Sequence, residues 1–401
     1  MMKNHKPKVA HFIRKNTQAK ASFIRNQMAS HDRYESMLIW RTSVSKPHDG
    51  GFAEFDYSPL GVLDLSKEES LWEKVLFNGP KVLSKKQIGS ILKTLKKGEV
   101  EICHFHFGTD CGVFYPLLQY LEIPSVVSFY GYDCSSFPDF FNGYGRTYLS
   151  KRVFNDVTKV LAMSPDMKKD LIEAGCPEEK IIVHYYGTDC SRFYQKRDYP
   201  QKTTIKLLIL ASLVPQKGHL FLLKSLRKLL DQGISNWSLD IIGTGELEET
   251  LKAYIQKHGL TPFISMPGPI TYASPEMMEA YRNADIFIHP SVIAENGDKE
   301  GIPGTIIEAM ATGLPVISTY HAGIPFIINH LESGLLVQEW DTDDLAENIS
   351  KLLADHKLRE RIGKKGQSFA LENLDLKSKE IELESIYDQV IESATLSLEF
   401  N

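Results

Sequence analysis

The feature that most constrains this chain is a repeated alternation of short, continuously apolar runs with segments of helical spacing. In the second half, the apolar run 205–213 precedes helical spacing over 219–230. Residues 239–242 are apolar again and end at Gly243-Thr244-Gly245, before a charged helical stretch at 246–257. Runs 285–289, 315–318 and 334–337 continue the series. The first half repeats it at 8–13, 37–40, 102–107, 125–129, 159–163 and 181–185. Strands that are apolar on both faces belong to parallel sheets covered by helices on both sides. With 401 residues the chain exceeds a single core. The pattern therefore predicts two α/β domains, 1–195 and 203–375, joined through the polar segment 194–203 (YQKRDYPQKT), with a terminal helix in 376–401 packing back on the first domain. Ligands of open parallel sheets bind beyond the carboxyl ends of the strands, so the residues that follow strands carry most weight.

Several classes are excluded. No run approaches the roughly 18 apolar residues of a membrane span, and the first residues, MMKNHKPKVAHFIRKN, lack the apolar stretch of a signal peptide. Cys103, Cys111, Cys134, Cys176 and Cys190 form no C-x-x-C pair, which points to reduced thiols and a cytoplasmic location. Residues 1–195 hold 26 Lys and Arg against 22 Asp and Glu, a balance of +4, and the remainder hold 20 against 29, a balance of −9. The basic half suits a lipid-phosphate acceptor or peripheral contact with the inner face of a membrane, and it equally fits ordinary composition. Within it, segment 83–98 (LSKKQIGSILKTLKKG) has an apolar stripe at Ile88, Ile91, Leu92 and Leu95 with lysines elsewhere. Packing of that stripe on a sheet is favoured over a place on a bilayer. No nucleic-acid partner is expected.

The segment 300–318, EGIPGTIIEAMATGLPVIS, is the most informative. Glu300 and Glu308 are separated by seven residues. Gly301, Pro303 and Gly304 make a tight turn, and 305–312 reads as a helix. Free amides and the dipole at such a helix start suit a diphosphate. Glu308, one turn in, can accept from a pair of ribose hydroxyls, and Glu300, before the turn, can meet a sugar. On spacing alone the plainer account, a surface Glu and a helical Glu about a Gly-Pro turn, stands ahead.

The segment resembles the E-x7-E signature of retaining glycosyltransferases of the GT-B fold, in particular glycosyltransferase family 4. Further matches follow in the family's order: LASLVPQKG at 210–218, IIGTG at 241–245, YRNADIFIHPS at 281–291 and GIPFIINHLESGLLV at 323–337. HFHFG at 104–108 and the stretch 163–193 fit as well. The resemblance implies two facing Rossmann-like domains with a cleft between them, the donor held by the second and the acceptor by the first. It implies that Glu308 binds the ribose and Glu300 the transferred sugar. Lys217 would neutralise the diphosphate, assisted by backbone at Gly304, Thr305 and Ile306, and His106 would line the cleft. Ser212, Gly243 and Gly268 are counted with the donor-binding residues. The implied reaction is retaining and metal-independent, with no cofactor beyond a nucleotide diphosphate sugar, UDP or GDP being expected. The acceptor would be a glycan or lipid-linked hydroxyl in cell-surface polysaccharide or glycolipid assembly. The departing phosphate would take the acceptor's proton, so the protein's task is charge stabilisation and positioning. A scaffold homologue with impaired catalysis and a GT-B sugar-nucleotide epimerase are the alternatives.

Four positions depart from the family pattern. Ser212 stands where an Arg is usual, Tyr130 where many members have His, and Phe326 where Glu is frequent, while RKNTQAKASFI replaces a Gly-Gly turn after the first strand. Tyr130 and Asp133 are placed on the acceptor side, although a turn-forming role for Asp133 is equally plausible. His104 and His106 share one strand face, but no nearby Cys or carboxylate set completes a metal site. Asp341-Thr342-Asp343 reads as a helix cap. Gly243-Thr244-Gly245 lacks the third glycine of a dinucleotide fingerprint, Glu248 standing in its place.

Overall fold

The computed structural model describes residues 6–44, 60–68 and 83–399; residues 1–5 of the stretch considered above as a leader lie outside them. The chain divides into two compact units, 1–187 with 376–401, and 188–375.

Among the described residues the first unit carries seven parallel strands in the order β3-β2-β1-β4-β5-β6-β7. These are β1 (Lys8–Lys15), β2 (Glu35–Thr42), β3 (Gly61–Asp64), β4 (Val100–His106), β5 (Ser125–Ser128), β6 (Lys159–Ala162) and β7 (Ile181–Val183). The central strands are buried on both faces, as their continuous apolar sequences require. One face packs Phe12, Phe105, Phe114 and Phe129 into the main core. Helix α1 (Ser22–Ala29) follows β1, and α2 (Lys85–Gly98) precedes β4. Ser84 caps α2 in a capping box with Gln87. The α2 stripe Ile88, Ile91 and Leu95 is buried in that core while Lys85, Lys86, Lys93, Lys96 and Lys97 are exposed.

The second unit has six parallel strands in the order β10-β9-β8-β11-β12-β13. They are β8 (Ile205–Leu210), β9 (Trp237–Ile242), β10 (Ile264–Gly268), β11 (Ile286–His289), β12 (Val316–Thr319) and β13 (Leu335–Val337). Helix α3 (His219–Asp231) buries Phe221, Leu222, Leu223, Leu226 and Leu229, each such side chain worth about 1.5–3 kcal/mol. Helices α4 (Pro275–Asn283), α5 (Gly304–Ala311), α6 (Thr342–Ala354) and α7 (His356–Asn373) complete the layers. Asp341 accepts from the Asp344 amide at 3.0 Å, the cap expected of it.

The division falls at Gly187/Thr188, ahead of the polar segment read as the linker. That segment is strapped to the second unit. The Arg197 guanidinium donates to the carbonyls of Thr312, Ala284 and Tyr281 at 3.0, 2.7 and 2.6 Å, and Tyr199 donates to Gly313 O at 2.6 Å. Its polar residues satisfy helix-end carbonyls, so composition alone misplaced the boundary.

The terminal helix α8 (Leu376–Glu399) belongs to the first unit. Leu383, Ile386, Tyr387 and Val390 pack on Val9, Ile102, Val126 and Leu161. Polar pins accompany them. Arg33 donates to Glu384 through its amide (2.8 Å) and Nε (3.1 Å) and to Asp388 through Nη1 (2.8 Å), and Tyr34 donates to Asp388 at 2.8 Å.

Candidate functional site

Both sheets reverse strand order beside their first strand, between β1 and β4 and between β8 and β11. Crevices at such switch points are where open α/β sheets bind ligands.

In the second unit the turn after β8 carries Lys217 and the loop after β11 carries Glu300. Gly218 makes this possible. Its φ is +69°, and a Cβ there would lie 1.8 Å from Pro290 O, so only glycine lets the Lys217 turn reach the end of β11. Lys217 Nζ pairs with Glu300 Oε2 at 2.7 Å, both side chains largely buried. At Gly243, φ +152°, a Cβ would meet Ala211 O at 1.9 Å. The Gly-Thr-Gly turn therefore serves close backbone packing, with Gly243 N donating to Gly268 O at 3.2 Å. Ser212 is exposed in the adjoining turn.

Helix α5 opens at Gly304, and the amides of Gly304 and Thr305 have no intrahelical acceptor. Ile306 donates its amide to Pro303 O. Glu308 lies one turn in and is only 4% exposed. Tyr281 donates to Glu308 Oε2 at 2.8 Å. Glu308 Oε1 faces Gly304, 3.8 Å from where a Cβ would stand. Burial pushes the Glu308 carboxyl up to about 7, with the Tyr281 hydrogen bond pulling the other way. His289 at the end of β11 contacts Thr305 Oγ1 through Nδ1 at 3.3 Å, and its buried Nε2 has no partner. Burial, then the Lys217 charge, holds that imidazole well below its ordinary 6.5. The structure thus brings Lys217, Glu300, Gly304, Thr305 and Glu308 around one switch point. Two further residues, Tyr281 and His289, stand inside the YRNADIFIHPS motif, but nothing in the motif says where their polar atoms point.

A cavity of about 980 Å³ adjoins the Lys217 turn, lined by Val214, Gln216, Gly218, Leu247, Asn296 and Trp340 among others. Neither Glu300 nor Glu308 lines it.

In the first unit His106 and Asp133 both lie in the interior. His106 lines no open surface: it is fully buried, with Nε2 against His11 Nδ1 at 3.1 Å and Nδ1 against Tyr130 Oη at 2.7 Å. Parallel register sets His11 beside His104, and the chain of rings continues from His11 Nε2 to His31 Nε2 at 3.4 Å. His104 bonds Tyr387 and Ser128. Ring nitrogens of His11, His104 and His106 lie within 4.8 Å of one another. His11 meets His106 through Nδ1 and His31 through Nε2, while both nitrogens of His104 are engaged by Tyr387 and Ser128. Burial, the largest cause, keeps His11, His104 and His106 well below 6.5. Asp133 holds a turn together. Its buried oxygens accept the amides of Gly108, Tyr130 and Gly131 at 2.8, 3.0 and 3.2 Å. Burial still raises it to about 6. Tyr130 is partly exposed. All five cysteines are buried and none is in a disulfide.

Residues 192–369 match the model of "Glycosyl transferases group 1", and residues 73–192 match that of "Glycosyltransferase Family 4". Together these matches run from residue 73 to residue 369 and support a group 1, family 4-like glycosyltransferase. Among its relatives is a putative colanic acid biosynthesis glycosyltransferase, WcaL of Escherichia coli K12, 35% identical over 55% of this chain and 53% of that one. Another is the amylovoran biosynthesis glycosyltransferase AmsK of Erwinia amylovora, 33% identical over 67% of this chain and 65% of that one. The matches thus span about half to two thirds of these curated relatives. Among solved structures, Anabaena Alr3699/HepE in complex with UDP superposes with a TM-score of 0.74 at 15% identity, covering 96% of this chain and all of that one. A sucrose-phosphate synthase from Thermosynechococcus elongatus gives 0.74 at 17%. The fold of this chain is GT-B, built on two Rossmann-like parallel sheets.

Proposed function

We propose that the protein transfers a sugar from a nucleotide diphosphate sugar to a hydroxyl acceptor, with retention and without a metal ion, in the assembly of a cell-surface polysaccharide or glycolipid. The observation that carries this reading is the Lys217–Glu300 pair beside the start of α5, with Glu308 buried one turn further on. On donor binding the diphosphate takes Lys217 and the free amides of Gly304 and Thr305. Lys217 then releases Glu300 for the sugar hydroxyls. Ionised Glu308 accepts from the ribose, its second oxygen held by Tyr281. The C1–O bond to the diphosphate breaks as the acceptor oxygen bonds C1 on the same face, and the acceptor's proton passes to the departing phosphate. Neutralising that phosphate is where Lys217 lowers the barrier.

Relatives named for colanic acid and amylovoran biosynthesis support the polysaccharide setting. UDP is supported by HepE, solved with UDP and with UDP-glucose, and GDP by relatives named as GDP-mannose-dependent. No described helix is long and apolar enough to cross a membrane. The exposed lysines of α2 suit peripheral contact with an anionic inner leaflet, where a lipid-linked acceptor would be met.

The test is calorimetric titration with UDP-, GDP- and ADP-sugars and the free nucleotides, repeated on Glu308→Ala and with chelator. One nucleotide should bind, weakened by the substitution and indifferent to chelator. A folded protein that binds none of them is not an active transferase.

A further inference from the structure

The loop between β11 and α5 needs a fixed geometry if Glu300 is to meet a donor sugar, and its backbone shows how that is held. Resting on the donor-site reading above, we propose that His321 and Glu339 form a positioning clamp that sets Glu300. Residues 293–300 have no regular structure. Their two ends are tied to one pair of side chains from outside the loop. At the far end, the Glu300 amide donates to His321 Nε2 at 3.1 Å. At the near end, the Ile293 amide donates to Glu339 Oε2 at 2.8 Å. Between them His321 Nδ1 meets Glu339 Oε1 at 2.7 Å.

The proton assignment is forced. A backbone amide can only donate, so His321 Nε2 accepts and carries no proton. The single proton of the neutral ring is then on Nδ1 and donates to Glu339. Glu339 in turn accepts from both His321 and Ile293. Burial pushes this carboxyl up, but these hydrogen bonds outweigh it and hold Glu339 below the ordinary range. His321 is wholly buried, so its contacts with the Glu300 amide and with Glu339 are shielded on the imidazole side from competing water.

The same stretch is anchored at its root. Thr319 Oγ1 donates to Ser291 O at 2.6 Å, and Ser318 Oγ to His289 O at 2.5 Å. Inside the loop, Ala294 N donates to Asp298 O, and Gln216 Nε2 to Asp298 Oδ2 at 3.1 Å. Glu300 is thereby fixed through its main chain while its carboxylate stays free to exchange Lys217 for a sugar. Neither His321 nor Glu339 touches substrate in this account. They act through Glu300.

Glu339→Gln tests the clamp with almost no change of shape. An amide has one accepting oxygen where the clamp needs two, so a donor must face either His321 Nδ1–H or the Ile293 amide. If the ring instead shifts its proton to Nε2, it confronts the Glu300 amide. One or two hydrogen bonds are lost, a fall of about tenfold to a hundredfold in kcat of sugar transfer. Affinity for free UDP or GDP, which lack the transferred sugar, should stay within about twofold. His321→Gln, which keeps an acceptor for the Glu300 amide, should recover part of the rate lost in His321→Ala.

Hydrogen exchange of the ligand-free protein reads the clamp directly, because the Glu300 and Ile293 amides should exchange faster in Glu339→Gln. Unchanged exchange overturns the clamp whatever the kinetics show. Equal loss of free-nucleotide affinity and turnover marks a structural role and overturns the positioning one. A wild-type protein that binds neither UDP nor GDP overturns the donor reading and the positioning role with it, while the exchange result still stands or falls alone.

Discussion

Glu308 is held in the ligand-free protein at a cost, and removing its charge should stabilise the fold while destroying the site. In the folded chain the carboxyl titrates at about 7 against an ordinary 4.5, chiefly because it is buried. Between those values the folded state holds the proton more tightly than the unfolded chain, so stability falls as pH rises through that window. At about 1.4 kcal/mol per pH unit, the full penalty above pH 7 is about 3 kcal/mol. Glu308→Gln keeps the shape and an oxygen for the Tyr281 hydroxyl, and it cannot ionise. At pH 8 the variant should be more stable by about 2–3 kcal/mol, allowing for the desolvated amide. At pH 5 the gain should be about 1 kcal/mol or less. For a unit of this size that corresponds to a Tm rise of about 5–10 °C at pH 8 and a few degrees at most at pH 5.

Calorimetric melting of both proteins at the two pH values measures the effect, and nucleotide titration should show the variant's affinity reduced at least about tenfold. In the wild type the same charge must form before ribose hydroxyls are accepted. Nucleotide affinity should therefore rise through about pH 7, with a proton released on binding that varies the observed heat between buffers. A variant that gains equally at both pH values, or loses stability at pH 8, would show that Glu308 is not a strained, buried acid and refute the reasoning.

Three further outcomes follow from named contacts. Tyr281→Phe removes the donor to Glu308 Oε2, which should weaken nucleotide binding about 5- to 30-fold by titration and move its pH midpoint upward. Gly218→Ala forces a Cβ to within 1.8 Å of Pro290 O at positive φ; urea unfolding should show a loss of at least about 2–3 kcal/mol, and kcat should fall because Lys217 is displaced. Arg33→Ala leaves Glu384, 1% exposed, without its cation; since Arg33 itself is half exposed, the loss should be about 1–3 kcal/mol by urea unfolding.

The parallel strands were legible because burial on both faces makes them continuously apolar, and their carboxyl ends directed attention to Lys217, Glu300 and Glu308. The strands that escaped notice lie at sheet edges. β10 alternates half-buried and exposed residues and contains Pro267, and β3 has two exposed and two half-buried residues. An edge strand pairs on one side only and needs no apolar run, so hydrophobicity cannot reveal it. The polar segment 194–203 deceived for a related reason, since Arg197 looks like a solvated linker residue until the carbonyls it caps are in view.

The site shows the same division between what a motif contains and what folding adds. Glu300 and Glu308 stand in one segment whose spacing can be read directly. The groups that tune them do not. Tyr281 reaches Glu308 from α4, and His321 and Glu339 reach the Glu300 loop from beyond β12 and β13. His106 is the converse case. Its alternation with His104 correctly put both on one strand face, but whether that face is open depends on what covers it, and His11, His31 and Tyr387 are brought there by register and by the returning helix α8. Periodicity within a strand assigns a side chain to a face. Only the packing of distant segments decides whether that face meets ligand or core, and here it makes Glu308 a buried acid waiting for a polar partner and His106 a neutral link in a sealed chain.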